Sequence, residues 1–102
     1  MILKMLDYEN MKNEKAVKES WTYFDNITSA RVTYDEDIKQ TVVSCSFKNN
    51  DMVTFTVKHL AYLMSDDGKT IDRIRTAEPE ITQGERVYET LQEAVRAAAE
   101  DL

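Results

Sequence analysis

The chain has 102 residues and a mass of 11.8 kDa, with 13 basic and 19 acidic side chains and a formal charge of −6. That length suits one compact domain over residues 1–102, and two Gly with one Pro exclude collagen-like and low-complexity classes. The negative charge argues against direct nucleic-acid binding, which draws on a basic surface; one Cys and one His exclude an intramolecular disulfide and an all-Cys zinc site.

In chain order, Ile2–Leu6 reads as a short strand or an irregular start. Residues 9–20 are polar, with Met11, Ala16 and Val17 as the only apolar points. That is too weak a stripe for an amphipathic helix, so the segment reads as solvated chain or one short helix. Trp21–Phe24 is bulky and β-prone and stops at the turn-forming pair Asp25-Asn26. Three segments then alternate with a period of two: Ala30, Val32 and Tyr34; Val43, Cys45 and Phe47; Val53, Phe55 and Val57. Period-two alternation marks half-buried strands. Asp35-Glu36-Asp37 supplies a longer turn between the first two, and Asn49-Asn50 suits a tight primed turn between the second and third. The expectation is an antiparallel meander with Val53, Phe55 and Val57 facing inward.

Residues 59–64 fit either a helical turn or a strand end. Asp66-Asp67-Gly68-Lys69 is a turn, and residues 70–75 form a fourth short strand through Ile71. Thr82 followed by Glu85 reads as a capping box. Val87, Leu91, Ala94, Val95, Ala98 and Leu102 then fall on one side of a helical wheel, opposite Glu85, Glu89, Glu93 and Glu100. This predicts an amphipathic helix of about five turns. The fold class expected is therefore α+β: a three- to four-stranded antiparallel meander with a C-terminal helix packed on one face.

Met1–Leu6 is interrupted by Lys4 and followed by Asp7 and Glu9, shorter than the ~7–15 apolar residues of a secretory signal. No run approaches the ~20 apolar residues of a transmembrane helix. Together with a free Cys, this reads as a cytoplasmic protein without a membrane partner. Asn26-Ile27-Thr28 has the form of a glycosylation sequon, which has no meaning without export.

Few residues offer chemistry. Gly68-Lys69-Thr70 would end a phosphate-binding loop, but that motif needs Gly at position 63, which is Leu. The Asp spacing there also fails the EF-hand pattern. Cys45 shares its face with Val43 and Phe47 and reads as core filler. His59 reads as a half-buried strand-end residue rather than a base or metal ligand. Turn carboxylates are solvated, whereas catalytic ones need burial to shift their pKa. No catalytic residue, metal or cofactor is expected.

Binding is the better expectation. The charge is neutral over residues 1–34 and −3 over each of 35–72 and 73–102. Candidate partner-binding residues are the acidic turns Asp35, Glu36, Asp37, Asp66 and Asp67, and the helical stripe Glu85, Glu89 and Glu93. Helical spacing of four gives ~6 Å between carboxylates, close to phosphate spacing, so the stripe would act as a nucleic-acid mimic toward a protein partner with a basic surface. Trp21 and Tyr23, with Arg73 and Arg75, are candidates for an interface or a ligand-stacking platform. In size, acidity and lack of a catalytic constellation the chain is similar in general character to small inhibitors encoded by phages and mobile elements, such as anti-CRISPR proteins. That likeness implies a non-enzymatic inhibitor or adaptor; no sequence motif carries it. The alternative is a small-molecule or nucleotide-binding, sequestering protein with its pocket at a homo-oligomer interface.

Overall fold

The computed structural model describes residues 1–10, 17–78, 80–81 and 84–89. Among them lie β1 (Ile2–Asn10), β2 (Val17–Phe24), β3 (Ile27–Asp35), β4 (Gln40–Phe47), β5 (Met52–Thr56), β6 (Leu60–Met64), β7 (Thr70–Arg75) and β8 (Arg86–Tyr88). They form two four-stranded sheets, with strand order β2-β1-β6-β7 in sheet A and β5-β4-β3-β8 in sheet B. Every pairing is antiparallel. The chain changes sheets at Asp25-Asn26, at Val57–His59 and again between β7 and β8. Among the described residues no helix is long and apolar enough to cross a membrane.

The expected meander is present as β3-β4-β5, because its alternation matches one buried face. Ala30 pairs with Cys45 and Val32 with Val43, and all four are buried. Sheet A contributes the opposing face: Leu3 pairs with Leu63, and Ala61 with Ile74, again all buried. These residues, with Met1, Ile27, Val57 and Ile81, make one cluster shared by both sheets. Each Val, Leu, Ile or Met side chain among them stabilises the fold by about 1.5–3 kcal/mol on burial.

The α+β expectation is overturned: the described part of the chain is all-β, and a second sheet, not a helix, covers the meander. Residues 70–75 do form a strand, but β7 belongs to sheet A. Within 59–64, Leu60–Met64 is strand β6. Ile2–Leu6, expected as a short strand or an irregular start, is part of the nine-residue β1. Residues 9–10 and 17–20, expected as solvated chain or a short helix, are strand in β1 and β2 because each pairs with the other in the antiparallel ladder. Within the predicted helix, Arg86–Tyr88 is a strand paired with β3 through Ala30–Tyr88, Arg31–Val87 and Val32–Arg86. Helical periodicity lost there because the free edge of β3 offered a ladder of backbone partners, and Arg86 and Tyr88 found polar partners on β7. Thr82, Glu93 and the rest of residues 90–102 lie outside the described residues, as do residues 11–16. Val53 also departs from expectation: on edge strand β5 it is 41% exposed.

Two loops share one geometry. In the β4–β5 hairpin the Asn50 N–H donates to Phe47 O at 2.9 Å, Phe47 N–H donates to Asp51 O at 2.9 Å, and Asn50 has left-handed backbone at φ 69. In the β6–β7 hairpin Gly68 N–H donates to Ser65 O at 3.0 Å, Ser65 N–H donates to Lys69 O at 2.8 Å, and Gly68 has φ 90. Both are three-residue loops whose last residue is left-handed, so the primed two-residue turn expected at Asn49-Asn50 is corrected. A polar seam ties the sheets together. Buried Thr41 accepts from Glu78 N–H through Oγ1 at 3.2 Å and from Val57 N–H through its carbonyl at 2.9 Å.

The burial pattern sets the outcome of two truncations. Leu63→Ala should lose about 2–5 kcal/mol of stability. Val53→Ala, on the exposed edge, should lose under about 1 kcal/mol. Urea unfolding of both variants checks the contrast; equal losses would contradict the placement of the core.

Candidate functional site

Cross-strand partners in an antiparallel sheet point to the same side. Sheet A therefore turns two rows of side chains away from the core. One runs Tyr23–Lys4–Tyr62–Arg73 across all four strands, and the next runs Trp21–Leu6–Leu60–Arg75. Along a strand the rows lie about 6.8 Å apart, and each spans about 14 Å across the sheet. Tyr23 is 60% exposed, Arg73 and Arg75 are exposed, and Trp21 and Tyr62 are half-buried. Leu6 is buried between Trp21 and Leu60 and forms the apolar floor.

Lys4 stands in the middle of the rings. Its Nζ lies 4.2 Å from the Trp21 ring centroid, 5.8 Å from Tyr23 and 5.9 Å from Tyr62. Trp21 and Tyr62 are 6.0 Å apart and tilted by 34°. Cation–π attraction of about 0.5–2 kcal/mol per contact holds the ammonium there without a carboxylate. Among the described residues, Lys4, Arg73 and Arg75 have no ion-pair partner. A protein with a charge of −6 thus presents one face that is aromatic and cationic.

Four residues singled out in the sequence share this face, Trp21 and Tyr23 on edge strand β2 and Arg73 and Arg75 on the opposite edge strand β7. Lys4 and Tyr62 were missed. Both lie where the sequence left strand and non-strand open, and without a strand assignment no face can be assigned.

The acidic candidates are dispersed. Asp35, Glu36 and Asp37 sit at the far end of β3, where Asp35 Oδ1 accepts from Asp37 N–H at 2.9 Å. Asp66 sits by the start of β3: its Oδ1 is 3.2 Å from the Met1 amino group, which donates to Ile27 O at 2.8 Å. The two loops are thus separated by the length of β3, roughly 27 Å. Asp67 accepts a hydrogen bond from Ser65 Oγ, which holds its carboxyl below the usual range. Glu85 is 3.3 Å from Arg31, an exposed pair on sheet B worth about 0–1 kcal/mol. Glu89 is exposed just past β8. With strand β8 between them, Glu85 and Glu89 are about 13–14 Å apart rather than the ~6 Å of a helix. The phosphate-like stripe is therefore corrected for this pair.

Cys45 is buried in the core of sheet B, and burial pushes its thiol up to about 11. His59 lies instead on the connection into β6, with Nε2 3.7 Å from Asp7 Oδ1 and its ring edge-on to Tyr8 at 4.8 Å. A backbone hydrogen bond from Tyr8, with lesser help from Lys58 and His59, lowers the Asp7 pKa. An open cleft of about 530 Å³ lies beside the ring face, lined by Tyr23, Phe24, Asn26, Phe47, Lys48 and Asn49. It is a wide surface hollow rather than an enclosed chamber.

One polar cluster was not foreseen. Arg86 Nε donates to Asp72 Oδ2 at 2.7 Å, and Tyr88 Oη donates to the same oxygen at 2.8 Å. Arg86 Nη2 is 2.9 Å from Glu78 Oε2, an ion pair whose angle falls short of a hydrogen bond. Glu78 Oε1 in turn accepts from Arg75 N–H at 2.8 Å. This cluster pins β8 of sheet B to β7 of sheet A, so its role is structural. Burial would lower the Arg86 pKa, but Asp72 and Glu78 outweigh it and the net shift is upward.

No protein-family model matches the chain, and neither the curated proteins nor the solved structures give a match to it.

Burial, then the Asp72 carboxylate, push the Tyr88 hydroxyl up to about 12 from 10.0. The folded state holds this proton more tightly than the unfolded chain, so the stabilisation is complete below pH 10 and is lost as pH rises through about 12. Tyr88→Phe should cost about 1–2 kcal/mol at neutral pH. Its melting temperature should then fall less steeply than wild type across that alkaline window. Parallel alkaline slopes for the two proteins in a thermal melt series would contradict the assignment.

Proposed function

We propose that this is a non-enzymatic binding protein that acts through the outer face of sheet A. The observation that carries the reading is the pair of cross-strand rows, which set three aromatic rings and three cations without ion-pair partners among the described residues on one surface. Trp, Tyr and Arg dominate binding hot spots because they bury large area and form directed polar contacts with little rotamer loss. A buried, protonated Cys45 far from activation supports a binding role over thiol chemistry and fits a cytoplasmic setting. The acidic loops support a binding role less well, since they are separated and partly engaged by their own turns.

The test is capture from a native host extract by the immobilised protein, with bound proteins and bound metabolites both identified. Trp21→Ala and the double variant Arg73→Glu with Arg75→Glu should each abolish capture of the specific partner. The loop variant Asp35→Asn with Asp37→Asn should retain it. The arginine and aspartate changes lie away from the core, so their melting temperatures should shift little. Trp21 is half-buried beside Leu6, so Trp21→Ala should lower the melting temperature; its capture is read below its unfolding transition, with the arginine variant as the independent check. Loss in the loop variant with retention in the face variants would reverse the assignment.

A further inference from the structure

Resting on that reading, we propose that the occupant of this face is a free nucleotide: a nucleobase carrying two or three phosphates. The rings and the arginines are adjacent in a way that matches the two halves of such a ligand. Tyr62 and Arg73 are direct cross-strand partners, and Leu60 and Arg75 are the next pair on the same side. A base lying against Tyr62 therefore sits one strand spacing of ~4.8 Å from the arginine strand, whereas Trp21, on the opposite edge strand, is three spacings or about 14 Å from it, a span that the sugar and phosphate chain would bridge. Base–aromatic stacking supplies about 1–3 kcal/mol per base, and it tolerates any base because each has a π-face. Arg73 and Arg75 stand two residues apart on β7 and so form a fork on one side of the sheet, suited to bidentate contact with a polyphosphate. Lys4 adds a third cation between the rings.

The surroundings favour a free nucleotide over a polynucleotide. Exposed Glu19 and Asp25 bracket the ring cluster along β2, one on each side of Trp21 and Tyr23. Asp66 and Asp67 lie exposed in the loop that follows β6. A strand continuing past the rings would meet carboxylates, and the charge of −6 repels a long polyanion. The platform spans about 14 Å by 7 Å, enough for a base, a sugar and a short phosphate chain.

Trp21 is the only tryptophan, so its fluorescence reports directly on the site. Adenosine triphosphate should quench it saturably at micromolar to millimolar concentration. Adenosine without phosphate should bind about tenfold more weakly or worse, and inorganic tripolyphosphate should compete without quenching by stacking. Arg73→Ala with Arg75→Ala, which keeps Trp21, should weaken the triphosphate by at least about tenfold, while Asp35→Asn with Asp37→Asn leaves it unchanged. A ten-residue single-stranded oligonucleotide should bind no more tightly than the triphosphate. Tighter oligonucleotide binding, with a log–log salt slope near about −2 from three neutralised phosphates, would overturn the inference in favour of a polymer. Absence of quenching by millimolar triphosphate, with face-dependent capture from extract intact, would overturn the nucleotide and leave the binding face standing. Loss of both would overturn the two together.

Discussion

Between β1 and β6 the chain runs through β2 and through three strands of sheet B, yet the pairing of β1 with β6 decides what both sides of sheet A become. Leu3 opposite Leu63 and Met5 opposite Ala61 place apolar side chains on the inner face. Lys4 opposite Tyr62 and Leu6 opposite Leu60 are then forced outward. Because strand side chains alternate, a slip of one residue would send Leu3 to solvent and Lys4 into the core. Burial of two leucines and exclusion of an ammonium thus act on one degree of freedom, and together they set the register strongly. The same register carries the lateral rows that join Tyr23 and Trp21 on one edge to Arg73 and Arg75 on the other.

Sheet B solves a different problem. Three of its strands, β3, β4 and β5, are local and follow the chain, but the outer side of β3 is free until β8 returns to cover it. An uncovered edge is a liability, since its backbone groups invite pairing with another chain. Three residues give few ladder bonds, so β8 leans on the Asp72–Arg86–Tyr88 contacts with sheet A. The cluster therefore joins the sheets from the side, while Thr41 joins them through the interior. A charged group taken partly out of water is tolerated here because Asp72 accepts from Arg86 and Tyr88, while Glu78 accepts from Arg75 N–H and forms an ion pair with the Arg86 guanidinium.

The polarity of the surface follows from this arrangement. Net charge describes the molecule at long range, where carboxylates outnumber cations. At short range the charges are unevenly spread: the end of β3 and the loops hold Asp35, Glu36, Asp37, Asp66 and Asp67, and the outer face of sheet A holds Lys4, Arg73 and Arg75, with Glu19 at its margin. Averaging over the chain hides this local sign change. A ligand large enough to sense only the net charge is repelled, whereas one small enough to fit the ring cluster meets three cations.

The sequence by itself determined the meander, since Val32, Val43 and Cys45 alternate with polar neighbours within single strands and need no distant information. It also determined that Cys45 is core filler. It failed at Arg86–Tyr88, where helical periodicity and a capping-box pattern were real local signals but the β3 edge and the Asp72 carboxylate offered stronger partners. Local propensity differs by fractions of a kcal/mol per residue, which a strand ladder and charged hydrogen bonds outweigh. Only the tertiary structure decided that Lys4 and Tyr62 join the ring face and that the acidic loops stand apart. Both depend on which strands become neighbours, and that is set by burial of the shared core between residues far apart in the chain.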